Sequence, residues 1–142
     1  MKKNYLICID GVMEREGETE HERVQLKTRG GFVHKDGSFF ITYEESETTG
    51  YAGCTTTVKA AQDSSRVAML RYGPAASQLI IEKGVRHVCH YETGMGTLSL
   101  GVAADEIDCQ LTPNGGILKF SYTLDSGTQE LSRNLVTVTV TK

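Results

Sequence analysis

Hydrophobic and polar residues alternate along most of the chain, so that apolar side chains recur at every second position. In Ser38–Glu45, for example, Phe39, Ile41 and Tyr43 fall on one face of the segment. A repeat of two is the period of a β-strand, whereas an amphipathic helix repeats every 3.6 residues. The pattern therefore predicts a chain made almost wholly of strands that each bury one face.

Gly, Asn, Asp and Pro interrupt the alternation at regular intervals and divide the chain into short predicted strands. These strands are Asn4–Met13, Glu22–Arg29, Ser38–Glu45, Cys54–Ala60, Arg66–Tyr72, Ser77–Glu82, Val85–Glu92, Gly94–Ala104, Glu106–Thr112, Ile117–Leu124 and a last one through Val136, Val138 and Val140. Few of the connections are long enough for a helix. Because parallel pairing needs crossovers of about a dozen residues, the sheet should be antiparallel.

About ten short strands in one domain must curl or split, and closure into a barrel removes the exposed edges. A β-sandwich is the alternative, but the chain has no Trp and no paired cysteines of the kind that mark an immunoglobulin pattern. We therefore expect an all-β fold, with residues 1–142 forming a single closed or nearly closed antiparallel β-barrel of about 8–10 strands.

The charge and hydropathy of the chain narrow the range of partners. The 15 Lys and Arg residues are outnumbered by 18 Asp and Glu residues, which gives a net charge of −3. Nucleic-acid binding proteins usually carry a basic patch, so we predict no nucleic-acid partner. No apolar run approaches the roughly 20 residues of a membrane helix, so we predict no membrane partner.

The first residues and the cysteines bear on location. The apolar stretch at the start is short and ends at Asp10, which suits a first strand better than a signal peptide. We therefore expect a cytoplasmic protein. The four cysteines form no C-x-x-C pair, so we expect them to be reduced apolar side chains rather than disulfides.

Five segments together resemble a known family. In chain order they are Phe40–Glu45, Thr56–Lys59, Leu70–Gly73, Tyr91–Gly96 and Gly115–Leu124. They are similar to the YwiB-like proteins, a small bacterial family of unknown function with a calycin-type (lipocalin-like) β-barrel. The resemblance implies this barrel, a bacterial cytoplasmic setting and an interior able to hold a ligand. It implies no catalytic or binding residues, because none are established for the family.

Catalytic and metal-binding patterns are weak. His87 and Cys89 share a strand face while His90 points the other way, and two ligands on one face are too few for a zinc site. There is no G-x-S-x-G nucleophile elbow. We predict no metal, no cofactor and no catalytic residues, and we favour a non-catalytic protein over a hydrolase or isomerase.

Polar residues on otherwise apolar strand faces are the better candidates for a site. Five residues meet this description: Arg71, His87, Tyr91, Glu45 and Tyr43. Barrels that bind ligands combine an apolar interior with a few placed polar groups. Arg71 and Tyr91 could together hold a carboxylate. Two alternatives are that Arg71 and Glu45 form an ion pair that plugs a barrel end, and that they face water.

Two functions follow from these observations. The first is a barrel whose interior binds a small, partly apolar ligand. Such a ligand could carry a carboxylate group. The second is an interaction module whose barrel is filled by its own side chains and has no ligand cavity. The sequence leaves open whether the protein forms a homodimer.

Overall fold

Ten strands form one closed antiparallel barrel in the computed structural model, which describes residues 4–92 and 96–142. The strands are β1 (Tyr5–Arg15), β2 (His21–Lys35), β3 (Ser38–Glu44), β4 (Thr55–Ala61), β5 (Arg66–Tyr72), β6 (Ser77–Glu82), β7 (Arg86–Glu92), β8 (Thr97–Thr112), β9 (Gly115–Asp125) and β10 (Glu130–Thr141). Each strand pairs with its neighbours in sequence, and β1 pairs with β10 to close the barrel. The expected all-β antiparallel barrel is confirmed. Within the described ranges, no helix is long and apolar enough to cross a membrane.

Strand β8 corrects one prediction from the sequence. The chain from residue 97 to residue 112 is a single strand, not two strands separated near Asp105. The pairing with β9 shifts between Ala104 and Glu106, which marks a β-bulge. An extra residue in a bulge reverses which side chains face inward. The apolar alternation therefore slips by one position at Asp105, and this slip looks like a strand end in the sequence.

Strand β2 is longer than predicted because it changes partner along its length. Residues 21–30 pair with β1, whereas Gly31–Lys35 pair with β3. The change falls at Gly30, where a Cβ atom would collide with the backbone carbonyl oxygen of Thr42. Only glycine allows β2 and β3 to approach this closely. As a result, residues 21–29 have a strand beside them on the β1 side alone.

The core fills the end of the barrel that carries the short turns at residues 36–37 and 83–84. Its largest fully buried side chains are Phe120, Ile7, Ile41, Ile81 and Leu118. Phe32 and Phe39 stack within it, with 5.8 Å between their ring centroids. The opposite end carries longer connections, including residues 45–54 between β3 and β4. The unfilled part of the interior lies at this second end.

Candidate functional site

A cavity of about 350 Å³ occupies the less densely filled end of the barrel. Its apolar lining includes Ile9, Met13, Val24, Met69, Leu79 and Val136, and its polar lining includes Tyr43, Glu45, Tyr51, Thr56, Arg71, Ser77 and Asn134. Strand β2 and the β3–β4 connection both contribute to this lining. Strand β2 contributes Glu22 and Val24, and the β3–β4 connection contributes Thr49 and Tyr51. The cavity therefore extends between β2 and that connection.

Strand register places four polar side chains in one row across the wall. Tyr43 of β3 pairs with Thr56 of β4, Thr56 pairs with Arg71 of β5, and Arg71 pairs with Ser77 of β6. We call these four residues the polar row. Each is in phase with inward-facing apolar residues of its own strand, such as Val58 two positions after Thr56. The row marks the boundary between the filled core and the cavity.

Glu45 joins the polar row through hydrogen bonds. The hydroxyl of Thr56 donates to Oε1 of Glu45 at 2.9 Å. Tyr43 is only 4% exposed. Burial raises the pKa of Tyr43 well above its usual range, and the charge of Glu45 and a hydrogen bond to it raise the pKa further. The phenol therefore stays neutral even in alkaline solution, where an ordinary tyrosine ionises.

Arg71 is held at the rim of the cavity by contacts with two loops. Its guanidinium carbon lies 3.6 Å from the ring centroid of Tyr51 in the β3–β4 connection. Its Nε donates to the carbonyl oxygen of Ala75 at 2.6 Å, in the turn between β5 and β6. The positive charge of Arg71 also acts on Tyr43, where it opposes the rise in pKa. Of the five predicted site residues, the structure thus brings Arg71, Tyr43 and Glu45 to one cavity.

The other two predicted site residues are not part of this group. His87 does not line the cavity, and its Nε2 lies 3.2 Å from Oε1 of Glu82 near the turn at the filled end. Tyr91 is paired through its backbone with Ser77, which continues the line of the polar row onto β7. The side chain of Tyr91 lies outside the described part of the chain.

Among the cavity residues that were not predicted from the sequence, Thr56, Asn134 and Tyr51 differ in the signal they give. Thr56 is in phase with Val58 and Ala60, so the argument that singled out Arg71 could have found it. Asn134 is buried and donates from Nδ2 to Oγ of Ser132 at 3.1 Å, but it precedes the apolar alternation of the last strand. Tyr51 lies in a polar loop, where a strand period gives no signal.

In the described part of the chain, the cysteines and acidic groups show no grouping of potential metal ligands. Cys8, Cys54, Cys89 and Cys109 are free thiols. Across residues 4–92 and 96–142, no three His, Cys, Asp or Glu side chains are grouped so that they could hold a metal ion. What the cavity offers is an apolar wall with a positive group, a carboxylate and neutral hydroxyls along one side.

Comparisons with known proteins agree with the fold. The family model described as "Domain of unknown function (DUF1934)" matches residues 7–138. The crystal structure of the YwiB protein from Bacillus subtilis superimposes with a TM-score of 0.78 at 20% sequence identity, covering 97% of this chain and 92% of that one. The resemblance to the YwiB-like proteins is thereby confirmed, and at this identity the structural match concerns the fold. No curated protein matches the chain.

Proposed function

The chain belongs to the DUF1934 family, whose function is unknown, and we propose that it is a non-catalytic barrel that binds a small, partly apolar ligand carrying a carboxylate group. The ligand occupies the cavity at the less densely filled end. Its apolar part packs against the lining from β1, β5 and β6, and its carboxylate meets Arg71. The fold is compatible with a calycin-like carrier or sensor, although a fold alone does not assign a function.

The cavity is the observation that carries this proposal. Its volume of about 350 Å³ falls at the lower end of the roughly 300–1,000 Å³ typical of ligand sites. Small-molecule sites are mostly apolar with a few convergent polar groups. Ile9, Met69 and Leu79 supply the first property and the polar row supplies the second. The cavity supports ligand binding over the alternative of a barrel filled by its own side chains.

Arg71 is the group best suited to bind a carboxylate. Guanidinium groups form charge-assisted and often bidentate hydrogen bonds with carboxylates. Glu45 is the nearby negative charge, and it already accepts a hydrogen bond from Thr56. Tyr43 is neutral at pH 7, as tyrosines ordinarily are, and its raised pKa keeps it neutral in alkaline solution, so it adds no repulsion toward an anion. A ligand with one carboxylate and a short apolar chain matches these groups.

The proposal includes a cytoplasmic location. Disulfides are rare in the cytosol, where thiols are kept reduced. All four cysteines are free thiols in the structure, and two of them, Cys54 and Cys89, are buried. Free buried thiols are compatible with a reducing compartment.

Octanoate and octanol distinguish the two parts of the proposed site, because they share an apolar chain and differ in the charged group. We expect isothermal titration calorimetry to show that octanoate binds to the wild-type protein. The variant Arg71→Leu should bind octanoate about tenfold more weakly or worse, because hydrogen bonds to charged groups contribute about 1.5–3 kcal/mol. Octanol should bind wild type and variant equally. Arg66→Leu is the matched control, because Arg66 lies on the same strand at its other end and does not line the cavity.

Native mass spectrometry of protein purified from bacterial cytoplasm tests the same proposal without a chosen probe. We expect an additional mass that is absent from the Arg71→Leu protein and present on the Arg66→Leu protein. A bare mass, together with octanoate binding that Arg71→Leu does not change, would overturn the proposal and favour a protein partner.

A further inference from the structure

One side of β2 has no strand beside it over about half its length. Residues 21–30 pair with β1 on one side, and the pairing with β3 on the other side begins only at Gly31. No backbone hydrogen bond from a turn or loop reaches residues 21–29 within the described part of the chain. We call residues 21–29 on this side the unpaired edge. Unpaired strand edges are templates for pairing with another chain.

The turn that follows β2 shows which backbone groups face outward from this edge. Asp36 and Gly37 both have positive φ, at 52° and 76°, so they form a two-residue type I′ turn between Lys35 and Ser38. Residues that flank such a turn exchange hydrogen bonds, so the backbone groups of Lys35 point toward β3. Because successive residues of a strand point their backbone groups to opposite sides, those of Gln25, Lys27 and Arg29 face the unpaired edge.

The side chains along the unpaired edge have two distinct faces. Lys27 and Arg29 lie on the outer face and are exposed, and among the side chains that the structure describes neither forms an ion pair with a carboxylate. Val24 and Leu26 lie on the inner face, and Val24 is 36% exposed. A strand added beside β2 would place its alternate side chains against these two faces. Acidic residues would suit the outer face and apolar residues the inner one.

A second copy of this chain is a poor occupant of the unpaired edge. If the β2 edges of two copies paired antiparallel, the outer side chains of both strands would lie side by side on one surface. Lysines and arginines of the two copies would then stand opposite one another. Like charges placed directly opposite across two strands are destabilising. The positive outer face of this edge instead complements a negatively charged segment, in a protein whose own net charge is −3.

We propose that the unpaired edge of β2 binds an extended segment of a partner protein in which acidic and apolar residues alternate. The segment adds a strand to the barrel wall, and its backbone pairs with Gln25, Lys27 and Arg29. Main-chain hydrogen bonds supply affinity in this mode of recognition, and the alternate side chains supply specificity. The inference goes beyond the small-molecule cavity and rests on different groups: Val24 lines both the cavity and this edge, whereas Lys27 and Arg29 do not line the cavity.

A nine-residue peptide that alternates glutamate and valine is the probe for this surface, and a peptide that alternates lysine and valine is its control. We expect NMR titration of the full chain with the acidic peptide to shift the amide signals of residues 22–29. We expect the amide protons of Gln25, Lys27 and Arg29 to gain protection from exchange. The lysine peptide should produce neither effect.

Two variants test the roles of charge and backbone. Lys27→Glu should weaken binding of the acidic peptide about fivefold or more, because a cross-strand attraction becomes a repulsion. Lys119→Glu is the matched control, because Lys119 is exposed on β9, which has a strand on each side, and it should change the affinity less than about twofold. Gln25→Pro removes an outward backbone donor and should abolish binding with an unchanged circular dichroism spectrum.

Three results would overturn the proposal. The first is an absence of shifts in β2 at millimolar acidic peptide. The second is equal weakening by Lys27→Glu and Lys119→Glu, which would indicate nonspecific attraction to positive charge. The third is a concentration-dependent dimer of the wild-type chain in which the amides of residues 22–29 become protected, because the occupant would then be a second copy.

Discussion

The guanidinium carbon of Arg71 lies 3.6 Å from the centre of the Tyr51 ring, so a residue of the β3–β4 connection covers the positive group of the cavity. A cation against an aromatic face is attracted by the ring's quadrupole. This contact joins the loop formed by residues 45–54 to the barrel wall at β5. It also fixes the position of the charge on which the proposed carboxylate binding depends.

Removing the aromatic ring should measure what this contact contributes to the fold. We expect Tyr51→Leu to lower the free energy of unfolding by about 1 kcal/mol, the magnitude typical of a partly buried cation–π pair. Tyr51→Phe keeps the ring and should behave like wild type. The measurement is urea unfolding, with Tyr72→Leu as the control, because Tyr72 is 58% exposed on β5. Equal losses in Tyr51→Leu and Tyr51→Phe would show that the ring contact is not the cause.

The hydroxyl of Tyr43 should matter for stability because it is buried beside Glu45. Tyr43→Phe leaves the carboxylate of Glu45 with the hydroxyl of Thr56 but without its tyrosine partner. We expect a loss of about 1–2 kcal/mol in the free energy of unfolding, since a half-buried carboxylate loses a hydrogen-bond donor. Urea unfolding at pH 7 measures this loss. A variant as stable as wild type would mean that water replaces the hydroxyl without cost.

The raised pKa of Tyr43 predicts how stability changes in alkaline solution. The unfolded chain releases this proton near pH 10, the ordinary value for tyrosine, whereas the folded chain holds it to higher pH. The folded state therefore binds more protons above pH 10, and the stability that Tyr43 contributes is lost as pH rises further. We expect wild type to lose stability more steeply than Tyr43→Phe between pH 9 and pH 11 in urea unfolding. Parallel curves for the two proteins would contradict the buried, protonated tyrosine.

The alternation of side chains predicts the barrel and part of the site for one physical reason. A strand gives one face to the core, so Tyr43 and Arg71 could be assigned inward positions from their phase with apolar neighbours. The same argument gives Glu45 an inward position, and Glu45 lines the cavity although it lies one residue beyond the end of β3. Phase also placed His87 inward. The phase of a residue tells which face of the strand it occupies but not which end of the barrel it lies at. His87 lies near the filled end, away from the cavity.

The features that the sequence did not predict depend on contacts between distant residues. The contact of Tyr51 with Arg71 joins a loop to a strand 20 positions away along the chain. The bulge at Asp105 resembles a strand end because the apolar alternation shifts there by one residue. The partner change of β2 at Gly30 depends on how closely β3 approaches, which no local pattern records. Contacts between neighbouring strands, or between a loop and a strand, decide these features, and the pattern along a single strand does not record them.

The close approach of β2 and β3 makes Gly30 sensitive to any side chain. In Gly30→Ala, the new Cβ atom would collide with the carbonyl oxygen of Thr42, which belongs to the backbone and cannot move aside easily. We expect a loss of about 2 kcal/mol or more in the free energy of unfolding. Gly11→Ala is the matched control on the neighbouring strand, since its Cβ atom would lie 4.0 Å from the nearest atom. Similar stabilities for the two variants in urea unfolding would show that β2 and β3 can separate freely.

The ion pair between Arg86 and Asp125 depends on the absence of a side chain at Gly101. Nε and Nη2 of Arg86 donate to the two carboxylate oxygens of Asp125 at 3.0 and 2.5 Å. The guanidinium lies where a Cβ atom of Gly101 would be. Hydrogen bonding to Arg86 holds the pKa of Asp125 below its usual range. A carboxylate with a lowered pKa contributes stability that is present above its ordinary pKa and lost as pH falls through the folded value.

We therefore expect Gly101→Ala to displace Arg86 and to raise the pKa of Asp125 toward its ordinary value. Carbon-13 NMR of the carboxyl groups between pH 2 and pH 7 measures this change. Asp10 provides an internal control, because it pairs with Arg23 in the same bidentate way and lies on β1, away from Gly101. Its lowered pKa should be the same in both proteins. An unchanged Asp125 pKa would show that Arg86 reaches it by another path, whereas a shift at both carboxylates would indicate a change in the whole barrel rather than in this contact.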